Sequence, residues 1–265
     1  MYSDVIITSA QNPRIKRLQK LLDKPAERRK ENLVVIEGER ECERAVSAGW
    51  KFKEVYWCAE KISSGRIKEI FSNPSTELVE VNAYVFEKIA QRDSTHGIVG
   101  IAVTQNTSLD SLAEKSNPFY LVVEGVEKPG NLGAILRTAS AAGVDAVFVC
   151  DPRTDIYNPG VIRSSTGAIF SLPVIQITSE SCLLFLKEKK IPVSAALVNG
   201  TKTYFEINWK GAAAMVFGTE DKGLSAFWQD ACDNKVTIPM HGEMDSLNLS
   251  VSVAIMAFEA AKQRR

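Results

Sequence analysis

Phe119-Tyr120-Leu121-Val122-Val123, followed by Glu124-Gly125-Val126-Glu127-Lys128-Pro129-Gly130-Asn131-Leu132-Gly133-Ala134-Ile135-Leu136-Arg137, decides the fold class of this chain. The first five residues are aromatic, branched or aliphatic with no polar alternation, as in a strand buried on both faces. Pro129-Gly130-Asn131 interrupts the run, and the apolar residues of 132–142 read as a helix. Strand, turn and helix then recur. Strands are expected at 145–150, 174–177, 193–197, 213–217 and 236–238, with helices at 181–189 and about 247–262. Such alternation builds a parallel sheet with helices on both faces, so the fold class is α/β.

Upstream lies a smaller unit of the same class. Asn12-Pro13 has the form of a cap with proline at the first helical position, and Ile15, Leu18, Leu21 and Leu22 follow at helical spacing. Strands are expected at 33–36, 53–57, 77–81 and 98–103, a helix at 39–48 closed by Gly49, helical character near 62–71, and a helix capped by Asn82. Residues 105–118 are polar and separate the two apolar blocks. The expected organisation is an N-terminal domain 1–104, a linker 105–118 and a C-terminal domain 119–265.

Composition narrows the function classes. The 265 residues are 45% hydrophobic and 24% charged, enough apolar matter for a sizeable core. No apolar run approaches the ~18 residues that span a bilayer, and the N-terminus lacks the form of a secretory signal. Cys42, Cys58, Cys150, Cys182 and Cys232 are scattered, with no Cys-x-x-Cys pair, and suit buried thiols in a reducing cytoplasm. With only His96 and His241 beside them, no metal site is expected. The 32 basic and 32 acidic residues cancel, which argues against coating of nucleic acid through bulk charge. Charge is nevertheless uneven: residues 1–30 hold eight basic against three acidic positions. Arg14, Lys16, Arg17 and Lys20 there form either a phosphate-facing patch for RNA or a solvated helix face.

Three polar, glycine-bearing segments follow strands of the second domain, where open α/β sheets bind ligands. They are the turn after 119–123, the segment Gly218-Thr219-Glu220-Asp221-Lys222-Gly223-Leu224, and the segment from Ile238 to Ser250. Neither Gly-x-Gly-x-x-Gly nor a Gly-Lys-Ser/Thr ending occurs in the first, which disfavours a nucleotide-dependent oxidoreductase. Singly, each segment has an ordinary explanation: Asn131, Ser246 and Asn248 suit helix caps, Arg137 suits a surface arginine, and His241 suits a loop.

Together, in this order, they resemble the three motifs of the SpoU (TrmH-type) RNA ribose 2′-O-methyltransferases of the SPOUT superfamily. The motifs read Asn131-x-Gly133-x-x-x-Arg137, Gly218-x-Glu220-x-x-Gly223-Leu224, and Ile238-Pro239-Met240 with Ser246-Leu247-Asn248-x-Ser250-Val251. The first domain looks like the substrate-binding domain often attached to this family, similar to a small ribosomal RNA-binding protein. Its marks are Asn12-Pro13-x-Ile15-Lys16, Glu37-Gly38 and His96-Gly97-Ile98.

The resemblance implies a deep trefoil knot in the C-terminal domain, S-adenosylmethionine as cofactor, and transfer of its methyl group to a ribose 2′-hydroxyl. It implies that Arg137 activates the hydroxyl, with Asn131, Glu220, Ser246 and Asn248 orienting it and the substrate. Arginine holds its proton too tightly for an ordinary base, so Arg137 either is desolvated among cations or holds a phosphate and stabilises the developing oxyanion. Groups near Leu197, Gly218, Ile238, Met240 and Leu247 are implied to cradle the cofactor. A homodimer through the catalytic domains is implied as well, with ribosomal RNA favoured over transfer RNA. The alternatives are a transfer-RNA ribose methyltransferase, a base methyltransferase of the same superfamily, and a non-catalytic RNA-binding protein that keeps the fold.

Overall fold

Asn12 opens the first helix as a cap should: its Oδ1 accepts the Arg14 N–H at 2.9 Å, and Pro13 takes the first helical position. The computed structural model describes residues 6–91, 96–105, 107–219 and 221–265. Helix α1 (Pro13–Asp23) buries Ile15, Leu18, Leu21 and Leu22, as their spacing requires. After it come α2 (Pro25–Glu31), β1 (Leu33–Glu37), α3 (Glu39–Ser47), β2 (Phe52–Trp57), α4 (Ser64–Ile70), β3 (Glu77–Glu80), α5 (Ala83–Ile89) and β4 (Ile98–Val103). Helix α2 has no apolar period to reveal it, because its one buried residue is Arg28. The Arg28 guanidinium donates to the carbonyls of Leu21 and Leu22 at 2.6 and 2.8 Å, satisfying groups that the end of α1 leaves open.

These strands form one sheet in the order β1-β4-β2-β3, with β4 antiparallel to both neighbours and β2 parallel to β3. Its core joins Ile15 and Leu18 of α1 to Val35, Tyr56 and Val79 of the sheet and Phe86 of α5. Burying each such side chain contributes about 1.5–3 kcal/mol.

The second half runs β5 (Phe119–Glu124), α6 (Pro129–Ala142), β6 (Ala146–Cys150), α7 (Pro159–Ser164), β7 (Val174–Ile177), α8 (Ser179–Glu188) and β8 (Val193–Ala196). It continues through β9 (Lys202–Thr203), β10 (Ala213–Phe217), α9 (Ala226–Ala231), β11 (Asn234–Thr237) and α10 (Leu249–Gln263). The seven strands lie in the order β7-β6-β5-β10-β8-β11-β9, and every pairing is parallel, as expected for an α/β sheet. Tyr120, Val122 and Phe148 pack with Cys182 and Leu186 of α8 and Trp228 of α9. The alternate residues Leu121, Val123 and Val147 are equally buried, so the sheet is closed on both faces. Helices α6 and α10 pack on each other.

Helix starts differ from the apolar pattern for reasons of capping. Helix α6 begins at Pro129, before its first apolar residue, because proline there presets φ and needs no N–H partner. Its N-cap is Lys128, so Asn131 lies inside the first turn and is not the cap. Helix α10 begins at Leu249 because Asn248 caps it, accepting the Ser250 N–H. Elements α7, α9 and β9 are too short to show a hydrophobic period.

Contacts divide the chain into two compact units, 1–106 with 156–171 and 107–155 with 172–265. Residues 156–171 fall in the 119–265 stretch by sequence, yet their contacts lie in the first unit. Trp50 is the reason: its Nε1 donates to the Phe170 carbonyl at 3.1 Å, and its ring meets Phe170 and Tyr157 edge-on at 5.0 and 5.9 Å. Among the described residues no helix is long and apolar enough to cross a membrane.

Candidate active site

Strands β10, β8 and β11 are neighbours in the parallel sheet, and their C-terminal ends open into a cavity of about 380 Å³. That size lies within the roughly 300–1,000 Å³ of small-molecule sites. Leu197 after β8, Ile238 and Met240 after β11, and Ser246 and Leu247 before α10 all line it. Four of the five residues expected to cradle a cofactor therefore meet around one cavity. The fifth, Gly218, stands in the chain between the lining residues Phe217 and Thr219.

Gly218 is glycine because of its own protein's backbone. A Cβ there would lie 2.2 Å from the Gly223 carbonyl carbon and 2.3 Å from the Leu224 nitrogen. The approach is enforced by two backbone hydrogen bonds of 3.0 Å between Thr219 and Gly223, which hold these two residues together. Gly223 takes φ +65°, the left-handed region that glycine enters without strain.

A smaller cavity of about 120 Å³ adjoins the first through the shared residues Thr219, Asp221 and Leu249, and Asn131 lines it. There the first and third motifs meet: Asn248 Nδ2 donates to Asn131 Oδ1 at 3.3 Å, although 117 positions separate the two residues. Glu220 lies outside the described residues. Arg137 is exposed on α6 and is not among the residues that line either cavity.

Asp221 and Asp245 are functional candidates that sequence reasoning missed; both line the larger cavity. The Asp221 carboxylate is held below its ordinary range by its own backbone N–H and by the Thr219 hydroxyl. Both lie inside motif segments, but one acidic residue in a polar loop carries no distinguishing spacing. Apolar walls from Leu197, Ile238, Met240 and Leu247 with two carboxylates at the rim suit a ligand that joins an aromatic base to positively charged groups. S-adenosylmethionine, with its adenine, sulfonium and ammonium, has that character.

No group of three or more His, Cys, Asp or Glu is placed to hold a metal ion among the described residues. The five cysteines are free thiols, four buried and Cys232 half-buried.

The basic N-terminal cluster divides in two. Arg14 donates to both Glu77 carboxylate oxygens at 2.8 and 2.7 Å and to Glu54 at 3.2 Å. Arg17 bonds Glu54 at 2.7 Å and Glu31 at 2.6 Å. Both charges are thus neutralised within the protein, and the Glu77 hydrogen bond holds the Arg14 guanidinium firmly protonated. Lys16 and Lys20 are exposed.

Comparison with known proteins gives this geometry its context. Residues 118–258 match the model of the SpoU rRNA methylase family, and residues 12–100 match the MRM3-like substrate binding domain. A crystal structure of an RNA 2′-O ribose methyltransferase superposes with a TM-score of 0.85 at 37% identity, covering 98% of this chain and 99% of the other. The SpoU methyltransferase AviRb of Streptomyces viridochromogenes, in complex with the cofactor AdoMet, superposes with a TM-score of 0.89 at 25% identity, covering 96% of this chain and 98% of the other. The 23S rRNA (guanosine-2′-O-)-methyltransferase RlmB of Escherichia coli (strain K12) is 36% identical over 161 residues, 60% of this chain and 66% of the relative. The chain belongs to the SpoU rRNA methylase family. It is an S-adenosylmethionine-dependent RNA ribose 2′-O-methyltransferase.

Proposed function

We propose that this enzyme methylates a ribose 2′-hydroxyl in structured ribosomal RNA, in the cytoplasm and as a homodimer, with residues 119–265 catalytic, 105–118 a linker and 1–104 binding the RNA. The observation that carries the reading is the Asn131–Asn248 hydrogen bond, with Asn131 lining the smaller cavity that adjoins the one at the ends of β10, β8 and β11. Ribosomal RNA is favoured because the RlmB and Streptomyces relatives are named for 23S rRNA.

When bound, S-adenosylmethionine supplies a methyl group on a sulfonium that already leaves readily. Leu197, Ile238, Met240 and Leu247 hold the apolar part of the donor and exclude water, and Asp221 and Asp245 face its positive charges. Asn131, Ser246 and Asn248, with Glu220, position the ribose hydroxyl; alignment of the reacting atoms turns the transfer into an effectively unimolecular step. Arg137 stabilises the oxygen as it loses its proton, or holds the neighbouring phosphate. Its exposure outside its own chain's cavities fits a site completed across a two-fold axis. Val251, Ile255 and Phe258 recur at helical spacing along α10, with Val251 and Phe258 left 45% and 49% exposed, an apolar stripe suited to a partner copy. The trefoil knot belongs to this reading also, on family likeness.

The test is incubation with radiolabelled S-adenosylmethionine and either ribosomal or transfer RNA, followed by alkaline hydrolysis. Label in alkali-resistant dinucleotides from ribosomal RNA is the expected result. Label confined to transfer RNA would reassign the substrate, and none from either would overturn the ribosomal RNA assignment.

A further inference from the structure

S-adenosylmethionine carries one negative charge, the carboxylate of its amino-acid head, beside the positive sulfonium and ammonium. The apolar walls and two carboxylates so far assigned to the larger cavity leave that charge unanswered, and the carboxylates by themselves repel it. Among the described residues lining the cavity, Lys222 is the one cation. Lys128 lines the smaller cavity, with Asn131. Lys222 is exposed, and it is its main chain that fixes its place: the N–H donates to Thr219 Oγ1 at 3.2 Å.

Asp221 and Lys222 are consecutive, between the paired residues Thr219 and Gly223. The Asp221 carboxylate is held below its ordinary range by its own backbone N–H and the Thr219 hydroxyl, and the charge of Lys222 acts in the same direction. The loop therefore offers an anion and a cation side by side. An amino-acid head offers the complementary pair, because its ammonium and carboxylate sit on one carbon.

We infer that Lys222 binds the carboxylate of the methyl donor, so that Asp221 and Lys222 together read its amino-acid head as a zwitterion. The inference rests on the reading of the larger cavity as the donor site. An exposed ion pair at a rim contributes a few-fold in affinity rather than orders of magnitude, so its effect is chiefly one of discrimination. A donor without the carboxylate brings only positive charge to Lys222 and is disfavoured. Position 222 falls in the stretch that the second motif leaves open, Gly218-x-Glu220-x-x-Gly223-Leu224, which is why the motif carries no sign of this contact.

Titration calorimetry with S-adenosylmethionine and with its decarboxylated form, which keeps the sulfonium and the ammonium, tests the assignment. Lys222→Met should bind S-adenosylmethionine roughly fivefold more weakly than wild type. It should bind the decarboxylated form at least as tightly as wild type, since a repelling charge is gone. Lys222→Arg, which keeps the charge, should stay close to wild type for both. An effect passing through Asp221 would weaken both donors alike, because both carry the ammonium. Equal weakening of the two, or no weakening of either, would therefore overturn the assignment. So would a Lys222→Met protein that binds both donors normally and loses affinity for ribosomal RNA, which would give the lysine to an RNA phosphate. Met240→Trp, which narrows the cavity, tests the underlying reading separately and should weaken both donors roughly tenfold. If it does and Lys222→Met fails to discriminate, the assignment of Lys222 falls alone. If Met240→Trp binds both donors as wild type does, the donor site lies elsewhere and both readings fall.

Discussion

Gly218 and Gly223 touch backbone to backbone, with the position of a Cβ at 218 only 2.2 Å from the Gly223 carbonyl carbon. No rotamer relieves such a contact, because the obstructing atoms are main chain. Gly218→Ala must therefore disturb the backbone pairing of Thr219 with Gly223. We expect a loss of stability of about 1–3 kcal/mol, as for overpacking in a tight interior, together with at least tenfold weaker S-adenosylmethionine binding. Thermal melting and titration calorimetry measure the two effects, and an alanine variant with wild-type affinity would show that the cavity tolerates an open loop.

Arg137→Ala should abolish methyl transfer and leave cofactor affinity nearly unchanged, since Arg137 lies outside the cavity proposed for the donor. Losing a charge-assisted interaction made in the transition state costs on the order of 3 kcal/mol or more. Activity within threefold of wild type would remove Arg137 from the site.

If Arg137 serves the partner's site, inactive Arg137→Ala and Asn131→Ala proteins should complement each other. Mixing and re-annealing them would produce heterodimers with one intact site, and activity should recover to about a quarter of wild type. Sedimentation of the unmutated enzyme at low micromolar concentration should give twice the chain mass. A stable, active monomer would contradict both expectations.

Glu54 makes the N-terminal unit sensitive to acid. Burial pushes its carboxyl up, but the Tyr56 hydroxyl and Arg14 outweigh burial and hold it below its ordinary value. A carboxyl depressed on folding contributes stability that is complete above its unfolded pKa and is lost as pH falls through the folded one. The loss should therefore develop below about pH 4. Glu54→Gln should flatten that limb of the stability curve while lowering stability at neutral pH. Denaturant melts between pH 3 and 7 test it, and an unchanged acid limb would place the sensitivity elsewhere.

Lys16 and Lys20 are the members of the basic cluster left exposed, whereas Arg14 and Arg17 are bound to Glu54, Glu77 and Glu31. Reversing both lysines to glutamate should weaken RNA binding and reduce the steepness of its salt dependence by one to two counterions, roughly one for each phosphate that the protein no longer neutralises. An unchanged slope would make them an ordinary solvated helix face.

What the sequence by itself determined is local and periodic. Ile15, Leu18, Leu21 and Leu22 specify α1, and the unbroken apolar run 119–123 specifies a strand buried on both faces. Asn12 and Asn82 cap where their side chains can reach the next turn. The three motifs were legible for the same reason, since each is a short string whose spacing survives in one dimension. Tertiary structure alone decided the rest. Whether Arg14 and Arg17 remain available to RNA depends on Glu54 and Glu77, dozens of positions away. Trp50 draws residues 156–171 into the first compact unit, although their sequence lies between two strands of the second. Asn131 meets Asn248 only because α6 and α10 pack together. Propensity and capping act over a few residues and can be read along the chain, whereas an ion pair or a hydrogen bond between distant segments exists only once folding has set their distance.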